Sequence, residues 1–157
     1  MIAATLRHAL AQLQLVLGPL RVASFYRSTP VAPAFSAAFS AISQPDYLNT
    51  AAVAEVTATD LPPDAVLAVA KALELAAGRR RGVRFGPRPL DIDLLLYGEL
   101  RSEAPELTLP HPRLRERRFV LEPLAEIAPD LAVPPDGVTV RELLAALPPD
   151  PGLRRLA

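Results

Sequence analysis

The sequence contains no cysteine. Disulfides and thiolate metal sites are therefore excluded, and nothing follows about redox compartment. Aromatic residues make up only 5% of the 157 positions. An RNA-binding sheet needs paired strand aromatics in a basic, glycine-containing context, and no such stretch occurs. Seventeen basic residues balance seventeen acidic ones, which argues against a general nucleic-acid or anionic-membrane binder. No apolar run approaches the ~20 residues of a membrane span. The N-terminus lacks the basic segment and uninterrupted apolar stretch of a secretory signal. The expectation is a cytoplasmic protein with neither a membrane nor a nucleic acid as partner. Lysine is nearly missing: Lys71 stands alone among the basic residues.

Half of the residues are apolar and 22% are charged, the composition of a folded globular chain. The length fits one domain, here taken as residues 1–157, and is enough to bury about two-thirds of the unfolded surface. Leu6, Leu10, Leu13 and Leu17 follow helical spacing, so Ala4–Leu17 reads as an amphipathic helix stopped by Gly18-Pro19. Leu20–Arg27 reads as a strand and residues 28–45 as a long loop. Tyr47–Thr57 reads as a second strand, with Tyr47, Asn49 and Ala51 on one face. Pro62 or Pro63 opens a helix carrying Val66, Val69, Ala70 and Leu73 on one side, capped near Gly78. Gly98-Glu99 is a turn and Leu107–Leu109 a short edge strand. Arg113–Ala128 reads as helix in two pieces, broken by Pro123. Thr139 caps a helix over Val140–Leu147, and residues 148–157 read as a frayed tail. Irregular alternation of helices and strands suggests a layered α+β domain, with helices on one sheet face and the other open to ligand.

The stretch around which the chemistry gathers is Arg84-Phe85-Gly86-Pro87-Arg88-Pro89-Leu90-Asp91-Ile92-Asp93-Leu94-Leu95-Leu96-Tyr97. From Leu90 it reads as a buried strand bounded by Pro89 and Gly98. Asp91, Asp93 and Leu95 then share one face; Ile92, Leu94 and Leu96 share the other. At ~3.3 Å per residue the two carboxylates lie about 7 Å apart. Such a pair stays ionised only beside a compensating cation. Mg²⁺, which binds one or two carboxylates plus substrate phosphates, is the simplest one. The plainer alternative is that both aspartates line a solvated strand face, the commoner fate of an isolated Asp-x-Asp. Arg84 and Arg88 favour the first reading, because guanidinium forks suit phosphate oxygens. Arg79-Arg80-Arg81 either offsets the dipole of the preceding helix or forms a clamp that orders when an anion arrives. Tyr47 and Asn49 share a face that suits a flat heteroaromatic ligand, or serve as core and turn residues. His111 sits between Pro110 and Pro112; a lone histidine is more often structural than catalytic.

Phe85–Leu94 resembles the signature of the 6-hydroxymethyl-7,8-dihydropterin pyrophosphokinase family. Three further segments match in the same order: Ser24-Phe25-Tyr26-Arg27-Ser28, Gln44-Pro45-Asp46-Tyr47-Leu48-Asn49, and Leu109-Pro110-His111-Pro112 through Phe119. The resemblance spans roughly Leu6 to Leu147. It implies a ferredoxin-like α+β core and transfer of the β,γ-pyrophosphoryl group of ATP to a reduced pterin, in folate biosynthesis. It implies two Mg²⁺ ions with ATP, held at Asp91 and Asp93. Arg79 and Arg81 would act as mobile catalytic arginines, and Arg88, His111 and Arg117 would contact the nucleotide. The pterin would stack between Tyr47 and Phe119, with Asn49 on its edge and backbone groups near Ser28 adding contacts.

The resemblance is incomplete in two places. Family members usually open with a strand and a Gly-Ser-Asn loop, whereas this sequence is helical almost from Met1. That leaves open a late start, a rearranged sheet or a strand lent by another protomer. The loop over residues 34–43 is also long, and Phe35 and Phe39 could make it a short helix over the pterin pocket. The competing reading is an N-terminally truncated, weakly active relative that survives as a ligand-binding or dimerising module; monomer and homodimer both remain open. An unrelated Asp-x-Asp sugar-nucleotide transferase fits the Gly86-Pro87-Arg88 context poorly.

Overall fold

The computed structural model describes residues 2–29, 45–56, 61–78 and 89–156. Most of the long loop (30–44) and the arginine-rich stretch (79–88) lie outside them. The leucine stripe forms α1 (Ile2–Leu17), which buries Ala9. The expected strand after it is two short ones, β1 (Leu20–Val22) and β2 (Tyr26–Ser28). Its expected partner is likewise split, into β3 (Tyr47–Asn49) and β4 (Ala52–Ala54). Both pairs are antiparallel: Val22 faces Ala52, and Tyr26 faces Asn49. Between these two pairings, Ala23, Ser24 and Phe25 oppose only Thr50 and Ala51. One extra residue on one strand is a β-bulge, which interrupts the ladder and re-aims side chains. The bulge is held by Ala23 N–H donating to Ala51 O (2.9 Å) and Thr50 Oγ1 donating to Ala23 O (3.0 Å).

Pro63 opens α2 (Pro63–Ala76), where its missing N–H costs nothing. Gly78 takes φ +96° just past the capping residue Ala77, the left-handed position at which glycine ends helices. β5 (Ser102–Ala104) and β6 (Leu107–Leu109) form a hairpin whose first strand the hydropathy pattern does not reveal. A 3-10 turn (Leu114–Glu116) and α3 (Arg118–Ile127) follow. The helical region is in two pieces, as expected, but the break falls at Arg117, which is extended (φ −105°, ψ 100°). Pro123 lies inside α3 and is buried between Leu121 and Leu124. Its burial against the core outweighs the one hydrogen bond it forfeits.

β7 (Ala132–Val133) and β8 (Val138–Thr139) make a small ribbon leading into α4 (Val140–Ala146). Thr139 caps α4 as expected, and Glu142 reciprocates to complete a capping box. The tail does not fray: β9 (Arg154–Arg155) pairs with β2, and Leu156 N–H donates to Phe25 O (2.8 Å). The chain is thus a mixed α+β protein whose described strand pairs are all antiparallel. Its core joins Ala23 and Ala51 of the bulge to Leu114, Leu121, Leu124, Ala128, Val133 and Val140. No helix among the described residues is long and apolar enough to cross a membrane.

A second, polar tie holds the bulge and the tail to α3. Glu126 Oε1 accepts from Ser24 N–H (3.1 Å), Ser24 Oγ (2.8 Å) and Arg155 Nη2 (3.2 Å), and Oε2 accepts from Tyr26 OH (2.8 Å). Burial pushes the Glu126 carboxyl up, but hydrogen bonds from Ser24 and Tyr26 and the Arg155 charge hold it below its usual value. The Tyr26 hydroxyl is pushed up to about 12, first by burial and then by its bond to ionised Glu126.

Thr139→Ala lowers the unfolding free energy by about 1 kcal/mol in urea denaturation; an unchanged midpoint contradicts the capping role. Glu126 contributes stability above the ordinary carboxylate range that is lost as pH falls through its depressed folded value. Tyr26 contributes stability below pH 10.0 that is lost as pH rises toward about 12. Glu126→Gln therefore flattens the acid limb of a stability–pH profile and shrinks the alkaline limb, where burial of Tyr26 still acts.

Candidate active site

Leu90 to Tyr97 does not form a strand: it has no ladder partner among the described residues. The expected alternation nevertheless holds over its first half. Leu90 is buried, Asp91 exposed, Ile92 half-buried, Asp93 exposed and Leu94 half-buried. The two carboxylates therefore share the solvent side. The alternation ends at Leu95, which was expected beside the aspartates but packs on the core together with Leu96. Without a ladder, the backbone of this segment finds other partners. Ile92 N–H donates to Glu74 Oε1 (2.8 Å), and Leu95 O accepts from His111 N–H (2.8 Å).

The second of these bonds places His111 beside Asp93. His111 Nδ1 accepts from Arg113 N–H (3.2 Å), so in the neutral ring the proton sits on Nε2. Nε2 lies 3.9 Å from Asp93 Oδ2. Arg117 Nη1 lies 3.7 Å from the same oxygen, and its guanidinium sits 5.7 Å from the centre of the Phe119 ring. Extended Arg117, between the 3-10 turn and α3, is what swings that side chain toward Asp93. Buried Leu114 anchors the turn on the core. Four sequence-predicted residues, Asp93, His111, Arg117 and Phe119, are thus gathered, with Asp91 two residues away on the same side.

Another predicted group lies on the β2–β3 pair. Ser28 is buried and Tyr47, its cross-strand neighbour, is half exposed. Asn49 Nδ2 donates to Ser28 Oγ (2.8 Å) and, at 3.5 Å, to Tyr26 O, which fixes the amide with its nitrogen turned inward. Tyr26 joins this pair to Glu126 of α3. Phe119 stands seven residues before Glu126, hence on nearly the same face of that helix. Arg79, Arg81, Arg84 and Arg88 lie outside the described residues. Glu74 is the residue that sequence reasoning missed. It falls four residues after Ala70 and eight after Val66, in the apolar stripe of α2, and is completely buried. A carboxylate in that stripe was the available signal.

Asp91 and Asp93 can offer oxygen ligands to a hard cation. Among the described residues no three His, Asp or Glu side chains cluster closely enough to hold a metal by themselves. Two carboxylates are the kind of donors Mg²⁺ takes, with its remaining ligands from phosphates and water. A groove of about 340 Å³ between α1 and α2, closed by Leu90, contains neither aspartate.

The described residues thus make an antiparallel α+β protein in which a solvent-facing carboxylate, Asp93, lies beside a histidine and an arginine. A profile of the 7,8-dihydro-6-hydroxymethylpterin-pyrophosphokinase family matches residues 2–129. Proteins named 2-amino-4-hydroxy-6-hydroxymethyldihydropteridine pyrophosphokinase are similar over much of the chain. The one from Pseudomonas aeruginosa is 43% identical over 86% of this chain and 75% of its own length. The one from Synechocystis sp. is 40% identical over 94% and 74%. The one from Methylorubrum extorquens is 49% identical over 70% and 66%. The chain belongs to the 7,8-dihydro-6-hydroxymethylpterin-pyrophosphokinase family.

Proposed function

We propose that this protein transfers the β,γ-pyrophosphoryl group of ATP to the hydroxymethyl oxygen of 6-hydroxymethyl-7,8-dihydropterin, in folate biosynthesis. The observation that carries the reading is the convergence of Asp93, His111 and Arg117 inside the segment that matches the family. A bond forms between the hydroxymethyl oxygen and the β phosphorus. The bond from that phosphorus to the α–β bridging oxygen breaks, AMP leaves with that oxygen, and the hydroxyl proton is released.

Phosphoryl-type transfer relies on positioning and charge neutralisation rather than covalent help from the protein. Asp91 and Asp93 would hold Mg²⁺, two ions with ATP, which supplies neutralisation of the phosphate oxygens and alignment of the attacking one. Arg117 and His111 already point cationic or donor atoms at Asp93. At 3.7 and 3.9 Å neither is locked in a short hydrogen bond, so both can turn to phosphate oxygens. Arg79, Arg81 and Arg88 complete the nucleotide side, the first two closing over the triphosphate to exclude water.

On the pterin side, Tyr47 and Phe119 supply the stacking faces. Asn49 donates inward to Ser28, which leaves its carbonyl oxygen for the N–H groups on the ring edge. Arg117 links the halves, because one guanidinium touches both the carboxylate and the Phe119 ring. The proposal includes a ferredoxin-like layering of the helices on one face of a sheet.

Asp93→Ala is expected to lower kcat by about 10³-fold or more while leaving the circular dichroism spectrum and Tm close to wild type. Turnover unchanged across a Mg²⁺ titration contradicts the metal role. Asn49→Ala is expected to raise KM for the pterin about 10-fold or more with KM for ATP nearly unchanged. Ser28→Ala moves the same constant less, because it only loosens the amide. Wild-type protein that binds an ATP analogue and pterin calorimetrically but forms no AMP overturns the proposed activity.

A further inference from the structure

Glu74 is completely buried, at the C-terminal end of a helix face otherwise made of valine, alanine and leucine. A buried carboxylate is costly unless it is paired and hydrogen-bonded. Here both conditions are met. Lys71, one turn earlier, places Nζ 3.3 Å from Oε1 and 3.2 Å from Oε2. Half of the Lys71 side chain remains in solvent, so the pair brings only one charge fully inside. Oε1 also accepts the N–H of Ile92 at 2.8 Å, and Glu74 takes part in further interactions.

Ile92 is the residue between the two aspartates. Its N–H belongs to the planar peptide unit that begins at the Asp91 carbonyl. Fixing that N–H fixes the plane, and with it the direction in which the chain leaves Asp91 and enters Ile92, one residue before Asp93. In a sheet a ladder bond would do this. Leu90–Tyr97 has no ladder among the described residues. Backbone bonds at Ile92 and Leu95 instead sit one on each side of Asp93, with a turn bond from Leu100 N–H to Tyr97 O at the segment's end.

We infer that Glu74, charge-balanced by Lys71, is a positioning residue: its carboxylate replaces a strand neighbour and holds Asp91 and Asp93 at the spacing and direction that metal-bound triphosphate requires. This rests on the phosphoryl-transfer reading above, and it adds a residue that touches neither substrate nor metal. Outer partners of this kind typically change metal affinity or activity 10- to 100-fold when removed.

Replacing a buried ion pair by apolar residues of similar size is often neutral for folding. The double variant Lys71→Met/Glu74→Leu therefore separates positioning from stability. Three quantities are read on the full-length protein: Tm, the affinity of Mn²⁺ for the complex with a non-hydrolysable ATP analogue by water-proton relaxation, and hydrogen exchange at the Ile92 amide. The double variant is expected to melt within a few degrees of wild type, to bind Mn²⁺ about 10-fold or more weakly, and to exchange the Ile92 amide faster. Glu74→Gln keeps an acceptor oxygen and is expected to recover most of the affinity and the protection.

A folded double variant with wild-type Mn²⁺ affinity overturns the inference. So does an Ile92 amide in the wild-type protein that exchanges as fast as an exposed loop amide, a result that needs no variant to fold. Neither outcome depends on turnover. Wild-type protein without AMP formation rejects the proposed activity, whereas active wild type with an indifferent double variant rejects only the role of Glu74.

Discussion

A stretch of backbone that leaves the sheet still has amides and carbonyls to satisfy, and burial makes each unmet one expensive. Leu90–Tyr97 is such a stretch. Its apolar side chains are drawn toward the core, yet no described strand lies beside it. Two of the bonds it finds come from elsewhere in the fold: a buried carboxylate from α2 on Ile92, and the His111 amide on Leu95. The site's geometry follows from these two attachments. One governs how the aspartates leave the backbone. The other brings the histidine within reach of Asp93, and Arg117 follows from the turn that starts after it.

The remainder of the molecule supports that end from behind. The 3-10 turn and α3 are seated by Leu114, Leu121 and Leu124, whose burial contributes roughly 1.5–3 kcal/mol each. Glu126, two turns after Phe119, gathers the bulge, the β2–β3 pair and the C-terminal strand onto the same helix. Arg117 with Phe119, and the Ser28–Asn49 pair, are therefore both referred to α3. A shift of that helix would move both halves of the proposed site together.

Periodicity and end chemistry made much of this legible. The leucine stripe of α1, proline at the start of α2, Gly78 beyond its end and Thr139 at the start of α4 are local signals with local consequences, and the structure follows them. The same holds for the outward pair Asp91 and Asp93, because alternation of side chains needs only an extended backbone and not a completed sheet. What was not legible depends on distant partners. The spacing after Val66 and Ala70 marks Glu74 as inward-facing, but what its carboxylate meets there stays hidden until Ile92 is brought to it. The bulge at Ala23–Phe25 arises from the mismatch of two strands and is invisible in either alone. Pro123 reads as a breaker, but the burial of its neighbours decides its place. Arg154 and Arg155 look like a loose basic tail, yet Glu126 and the edge of β2 hold them. The Asp-x-Asp spacing signalled Asp93, and the family resemblance pointed to His111 and Arg117; their convergence is a product of tertiary structure.

The central claim is that the outward carboxylates, together with the histidine and arginine beside them, meet one metal–triphosphate complex. Paramagnetic broadening tests this most directly. Mn²⁺ is added with a non-hydrolysable ATP analogue, and amide resonances are followed along the chain. The account predicts joint broadening at residues 91–94, 111 and 117, with little effect at residues 138–146 of the capped helix. Broadening centred elsewhere, or none around Asp91 and Asp93 at saturating analogue, would contradict it.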